Sequence, residues 1–427
     1  MKGMTTVTRW IALGAVILLA GCNGGPRRVD AIDAPLALPV DVTLIEPEEM
    51  YPPNLEGAYL IENRGRLYLA GGFLQEFTPS GVESERYYGV WMSDDGIHWT
   101  VATDEFRSGV RDSGFAYAFY SFDGYLWATE IIFRHRHPDA PENIRLFRST
   151  NGVEWQVVNE DYDPFTSGSW KISAPERVAY QFAGQRDDSR FLSNRVNVSR
   201  DGIDWESSEY EDPEGFFSDS ISTHAVANDV PYLLDFHLRQ VGRFDSEELI
   251  WESLLIDPET HAKLFLTEVS DRNRRFESAF VGHNDHLYII AGHGWSAENT
   301  WNQLQERPSW LNDVWRSPDG IEWERVGRQL PFTEEEEQER GYRYNFDTFP
   351  ARRSPQVVSW RGVLYLTGGE GYARWNGEWI YHQGQDAWVS RDGETWYELA
   401  RVRGSRRQAE PLVIESSMGE IVGPPDQ

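Results

Sequence analysis

The chain has 427 residues, a formal net charge of −29, 40% apolar residues and 14% aromatic residues. Such acidity argues against nucleic acid as a partner, because phosphate binding needs positive patches. The apolar fraction suffices for a large core, and the wealth of Trp, Tyr and Phe favours β-structure, where aromatic rings pack well on pleated faces.

Met1–Arg9 is short and basic, Trp10–Ala20 is apolar, and Leu19-Ala20-Gly21-Cys22 follows. An apolar run of this length suits the central region of a secretion signal better than a membrane span, which needs about 20 residues. The tetrapeptide resembles the bacterial lipobox. That resemblance implies cleavage after Gly21, a lipid on Cys22, and, with Asn23 next, sorting to the outer membrane. Residues 1–21 then form a lipoprotein signal peptide, and residues 22–39, rich in Gly, Pro and Asp, a flexible linker. Residues 40–427 form one repeat domain. Cys22 is the only cysteine, so no intramolecular disulfide can form. The lipid is expected to be the sole contact with the membrane.

Two signals recur through the rest of the chain. The first is an apolar strand, a tight polar turn and a second strand, often ending in Gly-Gly. It stands at Ala58–Gly72, Ala116–Thr129, Glu176–Gly184, Thr223–Asp235, Ala279–Gly292 and Pro355–Gly369, with a last copy at Pro411–Gly423. The second is Ser-x-Asp/Asn-Gly-x-x-Trp, at Ser93–Trp99, Ser149–Trp155, Ser199–Trp205, Ser317–Trp323 and Ser390–Trp396. Asp-Gly or Asn-Gly between alternating runs predicts a two-residue hairpin with φ > 0 at both central residues. A degenerate copy, Val241–Ser253, keeps Trp251 and loses the Asp-Gly.

Paired, the two signals make units of four short antiparallel strands, the pattern of a β-propeller blade. The units resemble kelch repeats in their Gly-Gly, in Trp91, Trp315 and Trp388, and in the closing Trp. The hairpin is also similar to the Asp-box of sialidases, which has one more residue between Asp and Gly. The expected fold is all-β: a seven-bladed propeller of four-stranded antiparallel blades. Its last blade would be closed by both termini, with Pro411–Gly423 inside and Val40–Glu46 outside. A six-bladed ring with a C-terminal tail is the other reading.

Blade topology places every Asp-Gly turn on one face and the long insertions on the other. Those insertions are Leu74–Tyr88, Glu130–Arg145, Gly294–Asp313 and Glu370–Asp386, with the connection Gln329–Arg353. Long loops on a rigid scaffold commonly carry function. The insertions of blades five and six hold Trp295, Trp301, Trp310, Tyr372, Arg374, Trp375, Trp379 and Tyr381, a set suited to stacking and hydrogen bonding with a glycan or protein ligand. Packing of these rings against one another within the loops is the competing explanation.

His135 and His137 share a loop. His283 and His286 flank one turn, with His293 at the opposite end of its strand, so no metal site and no cofactor is expected. The kelch resemblance raises galactose oxidase, whose tyrosine–cysteine crosslink is excluded by the lack of a second cysteine. The leading expectation is therefore a monomeric, lipid-anchored binding or scaffold module in the cell envelope. The alternative is a carbohydrate-active enzyme, sialidase- or epimerase-like, using channel Arg and Glu residues such as Arg111, Arg352 and Arg353.

Overall fold

The structure, a computed structural model, describes residues 32, 34–39, 41–46, 52, 55–78, 81–87, 89–103, 113–132, 144–162, 170–173, 178–185, 193–209, 222–236, 239–266, 273–296, 310–326, 349–375, 378–382, 384–403 and 406–408. Their strands form a six-bladed β-propeller. Blade one is Tyr59–Asn63, Arg66–Ala70, Val90–Ser93 and Thr100–Thr103. Blade two is Ser113–Phe122, Tyr125–Ile132, Ile144–Ser149 and Gln156–Tyr162. Blade three is Trp170–Ser173, Ala179–Gln185, Ser193–Ser199 and Glu206–Glu209. Its inner strand lies upstream of the Glu176–Gly184 stretch that the sequence suggests, which supplies only the second strand.

Blade four is Ser222–Ala227, Val230–Asp235, Gln240–Asp245 and Ile250–Leu254. A short helix, Pro258–Leu264, leads on from it, N-capped by Asp257. Blade five is Ala279–His283, His286–Ser296, Trp310–Ser317 and Glu324–Arg325, and Asn273–Phe276 pairs with the upper half of its long second strand. Blade six is Gln356–Trp360, Val363–Thr367, Asp386–Ser390 and Tyr397–Val402.

The innermost strands neighbour one another in sequence around the ring, and that of blade six packs directly against that of blade one. The circle is complete at six, which corrects the seven-bladed expectation. Val40–Glu46 does not build a seventh blade. Thr43–Ile45 from that stretch instead adds a fifth, parallel strand to the outer edge of blade six. The repeat at Pro411–Gly423 lies outside the described residues.

What joins blade to blade is visible at the Asp-Gly turns. These are not two-residue hairpins: Gly96 has φ +73°, while Asp95 before it stays out of the left-handed region. The loop from Ser93 to Thr100 is held by side chains instead. The Ser93 hydroxyl accepts the Gly96 N–H (2.9 Å) and donates to Asp95 Oδ1 (3.2 Å), which accepts the N–H groups of Ile97 (2.9 Å) and His98 (2.8 Å). The same Ser and Asp/Asn bonds recur at Ser149/Asn151, Ser199/Asp201, Ser317/Asp319 and Ser390/Asp392. Burial alone would raise these carboxyls. Hydrogen bonds from backbone amides, with His98 at Asp95 and the serine hydroxyl at the others, outweigh it and hold Asp95, Asp201, Asp319 and Asp392 below the usual carboxylate range.

Holding the turn this tightly lays its glycine on the second strand of the preceding blade. A Cβ at Gly152 would lie 2.8 Å from the Tyr68 ring, at Gly202 2.5 Å from Trp127, and at Gly393 2.7 Å from Tyr288. Gly320 differs: a Cβ there would lie 2.6 Å from Leu254 on the fourth strand of blade four and 3.4 Å from the Tyr232 ring on the second. The seam between blades six and one repeats the arrangement: a Cβ at Gly96 would lie 2.7 Å from the Tyr365 ring, and Tyr365 Oη donates to the Gly96 carbonyl at 2.9 Å. At the other turns that carbonyl accepts the indole N–H of the closing Trp, as the Gly393 carbonyl does from Trp396 (2.9 Å). The ring is therefore latched at its closure as it is elsewhere.

The degenerate fourth turn still caps two amides with Asp245, and Leu249 takes the left-handed conformation at φ +54°. Here the seam is filled by rings: Phe182 lies 4.8 Å from Phe244 and 5.0 Å from Trp251, edge to face.

The N-terminal segment reinforces the closing seam. Ile32 N–H donates to the Arg64 carbonyl (2.9 Å), Leu36 N–H to that of Arg361 (3.1 Å), and Arg361 Nε to that of Ala34 (2.6 Å). Leu36 and Leu38 pack on the core shared by blades six and one. The Ile45 carbonyl then accepts the Arg403 N–H at 2.7 Å.

Gly96→Ala adds a methyl against Tyr365 and forces a non-glycine residue into the left-handed region. The expected cost is about 3 kcal/mol, similar to Gly152→Ala at an internal seam, read from denaturant unfolding. A Gly96→Ala protein within about 0.5 kcal/mol of wild type would contradict a latched closing seam.

Candidate functional site at the rim of blades five and six

The face opposite the Asp-Gly turns carries two small sheets that belong to no blade. Phe73–Thr78 and Gly81–Arg86 form a hairpin flanked by Leu55–Glu56. Gly371–Trp375 and Glu378–His382 form another, with Arg406–Gln408 on its edge. Two of the long insertions are thus ordered ribbons.

The second ribbon is rooted where blades five and six meet. Arg353 and Glu370 exchange both backbone hydrogen bonds, at 2.9 and 3.2 Å, and their side chains form an ion pair, Arg353 Nε to Glu370 Oε1 at 2.8 Å. One residue on, Ser354 donates its N–H to the Glu277 carbonyl (3.0 Å) and its hydroxyl to Glu277 Oε2 (2.9 Å). His293 Nδ1 stands 3.5 Å from the same oxygen. Burial would raise the Glu277 carboxyl, but His293, the Ser354 hydroxyl and the charge of Arg353 outweigh it and hold it low. Glu277 and Ser354 both sit in the left-handed region, at φ +52° and +50°, a conformation that costs such residues about 1 kcal/mol or more. A bulge between Ile290 and Gly292 re-aims the long strand of blade five into this junction.

Beneath the rim lie two buried arginines with matching surroundings. Arg275 donates to the Leu264 and Ala291 carbonyls (2.7 and 2.9 Å) and, bidentate, to Asp313. Arg352 donates to the Pro350 and Gly368 carbonyls (3.1 and 2.9 Å) and, bidentate, to Asp386 (2.8 and 3.0 Å). Each aspartate also accepts the indole N–H two residues on, from Trp315 (2.8 Å) and Trp388 (3.0 Å). Both guanidiniums are wholly buried and engaged on all sides, so Arg352 joins second and third strands and is not available as a channel group. The repeated spacing Asp313-x-Trp315 and Asp386-x-Trp388 is the sequence signal for these pairs. Sequence reasoning singled out the tryptophans and passed over the aspartates.

The sequence-derived binding residues fall at this rim in two groups. Trp295 pairs in register with Arg274, and Trp310 with His293, at the upper end of blade five. Tyr372 stands opposite Tyr381, Arg374 opposite Trp379, and Trp375 opposite Glu378 in the ribbon. Strand alternation then puts positions 372, 374, 379 and 381 on one face and Trp375 on the other. Arg407, which pairs with Tyr381, joins the first set. Trp301, Arg111, His135, His137 and Cys22 lie outside the described residues. His283 is on the Asp-Gly face, bonded to Ser359 (2.8 Å) at the seam with blade six, far along its sheet from His293. Among the described residues no three His, Cys, Asp or Glu side chains gather as a metal site would require.

No family model and no curated protein matches the chain. Among solved structures it is similar to one described as YCF48 bound to D1 peptide, with 14% identity over 87% of this chain and 86% of the other and a TM-score of 0.38.

Removing one partner of a buried ion pair strands the other charge. Arg352→Met should cost about 3 to 5 kcal/mol of stability, whereas Arg353→Met, at the half-open rim, should cost about 1 kcal/mol or less. Chemical denaturation of both proteins checks this, and equal losses would show that burial does not separate the two roles.

Proposed function

We propose that this chain is an extracytoplasmic lipoprotein, anchored through Cys22 in the outer membrane, whose propeller is a monomeric glycan-binding module. One observation carries the reading. The ribbon at the rim of blades five and six belongs to no blade, and its register gathers Tyr372, Arg374, Trp379, Tyr381 and Arg407 on one face. Flat rings offer stacking surface to sugar faces, and arginine offers bidentate bonds to carboxylates. A glycan bearing uronic or sialic acid groups fits that combination. The strained junction of Glu277 and Ser354 below would hold the ribbon in position. The kelch-like reading of the blades belongs to the same proposal, supported by Gly368-Gly369 after the second strand of blade six, both in the left-handed region.

A glycan array probed with the soluble propeller tests the site. Trp379→Ala should lower binding at least tenfold, an alanine loss of about 1.4 kcal/mol or more, while Trp375→Ala on the opposite face should bind like the wild type. Undiminished glycan binding by Trp379→Ala would refute the assignment. Binding to peptides alone would replace the glycan with a protein ligand.

A further inference from the structure

The path of the N-terminal segment sets the face on which it meets the ring. Ile32 is bonded to Arg64, in the turn between the first two strands of blade one, and Ala34 and Leu36 are bonded to Arg361, in the equivalent turn of blade six. Both turns lie on the Asp-Gly face: Arg66 Nε donates to Asp94 Oδ1 (2.6 Å) in blade one, and Arg361 of blade six donates to the Asp94 carbonyl (3.2 Å). The chain therefore joins the ring on that face, beside the axis, and not from its outer edge. Arg27 and Arg28 are the only positive charges between Cys22 and Ile32, and such residues are drawn to anionic headgroups.

We propose that the Asp-Gly face looks toward the anchoring membrane and the ribbon rim of blades five and six looks away from it. The ligand would then be met in the aqueous space beyond the protein, as a soluble or surface-borne glycan rather than a lipid headgroup. This rests on the Cys22 anchor proposed above. Chain length supports it. The ten peptide steps from Cys22 to Ile32 span at most about 35 Å when fully extended, and roughly 17 Å as a flexible coil. To lay the rim on the membrane, the tether would have to cross about 15 Å of strand spacings and climb about 17 Å of strand. The insertions standing above the blades lengthen that path further, so only a fully stretched tether could approach it.

The anchor would occupy Cys22, so a thiol introduced elsewhere would be the sole reactive one. Full-length lipidated protein carrying Glu322→Cys, on the Asp-Gly turn of blade five, or Glu259→Cys, on the helix at the opposite end, is labelled with a donor dye. Both are bound to vesicles of phosphatidylethanolamine and phosphatidylglycerol containing a headgroup-labelled acceptor. The dye at position 322 should lose more fluorescence to the acceptor than the dye at 259. Equal or reversed losses on vesicle-bound protein overturn the orientation while leaving the anchor intact. Protein that fails to float with the vesicles, as Cys22→Ser should, removes the anchor and the orientation together.

Discussion

At most seams of this ring a turn glycine lies flat on a buried aromatic ring of the blade before it. The contact needs three things at once: a left-handed residue without a Cβ, a serine and a carboxylate or amide that fix the turn, and a bulky ring on the neighbour's second strand. Tyr68, Trp127, Tyr288 and Tyr365 are all nearly inaccessible to solvent, and burying a ring of this kind stabilises a fold by about 2 to 3 kcal/mol. Because each blade contributes a turn to one neighbour and a ring to the other, the blades stabilise one another in a circle. The closing seam shares this chemistry, with the Tyr365 hydroxyl taking the place of an indole N–H and the N-terminal segment lying across it.

This explains why the sequence announces the fold so clearly. The Ser-x-Asp-Gly-x-x-Trp signature is visible because its serine, its Asp or Asn and its glycine are bonded to one another or to amides within a few residues. It was less informative about the turn itself: Asp-Gly suggests a two-residue hairpin, whereas the Asp side chain caps the following amides and Gly alone is left-handed. The blade count failed for a related reason. Strand patterning in Pro411–Gly423 and Val40–Glu46 cannot say whether a ring is already full, since that depends on contacts between residues 295 positions apart, such as Trp360 and Gly65. Strand direction was also hidden, and Thr43–Ile45 runs parallel to its neighbour.

The rim was legible in part. Loop length and aromatic content pointed to blades five and six, and the strand register there explains how four of the named residues come to share a face. The buried Arg275–Asp313 and Arg352–Asp386 pairs were not foreseen, because their partners are 38 and 34 residues apart and nothing local couples them. They bear on the candidate site indirectly. By tying second strands to third strands just below the rim, they give the ribbon and the Glu277–Ser354 junction a rigid base, on which strained backbone can persist.

A ring that is full at six blades has no structural need for the C-terminal repeat. The most direct test is a chain ending after Gln408, compared with the full-length protein by calorimetry. The six-bladed account predicts the same cooperative transition, with the midpoint moved by no more than about 2 °C, which in a chain of this size corresponds to a loss of about 2 kcal/mol or less. Loss of cooperativity, or a midpoint lowered by about 10 °C or more, would mean that the final segment supplies a blade the ring requires.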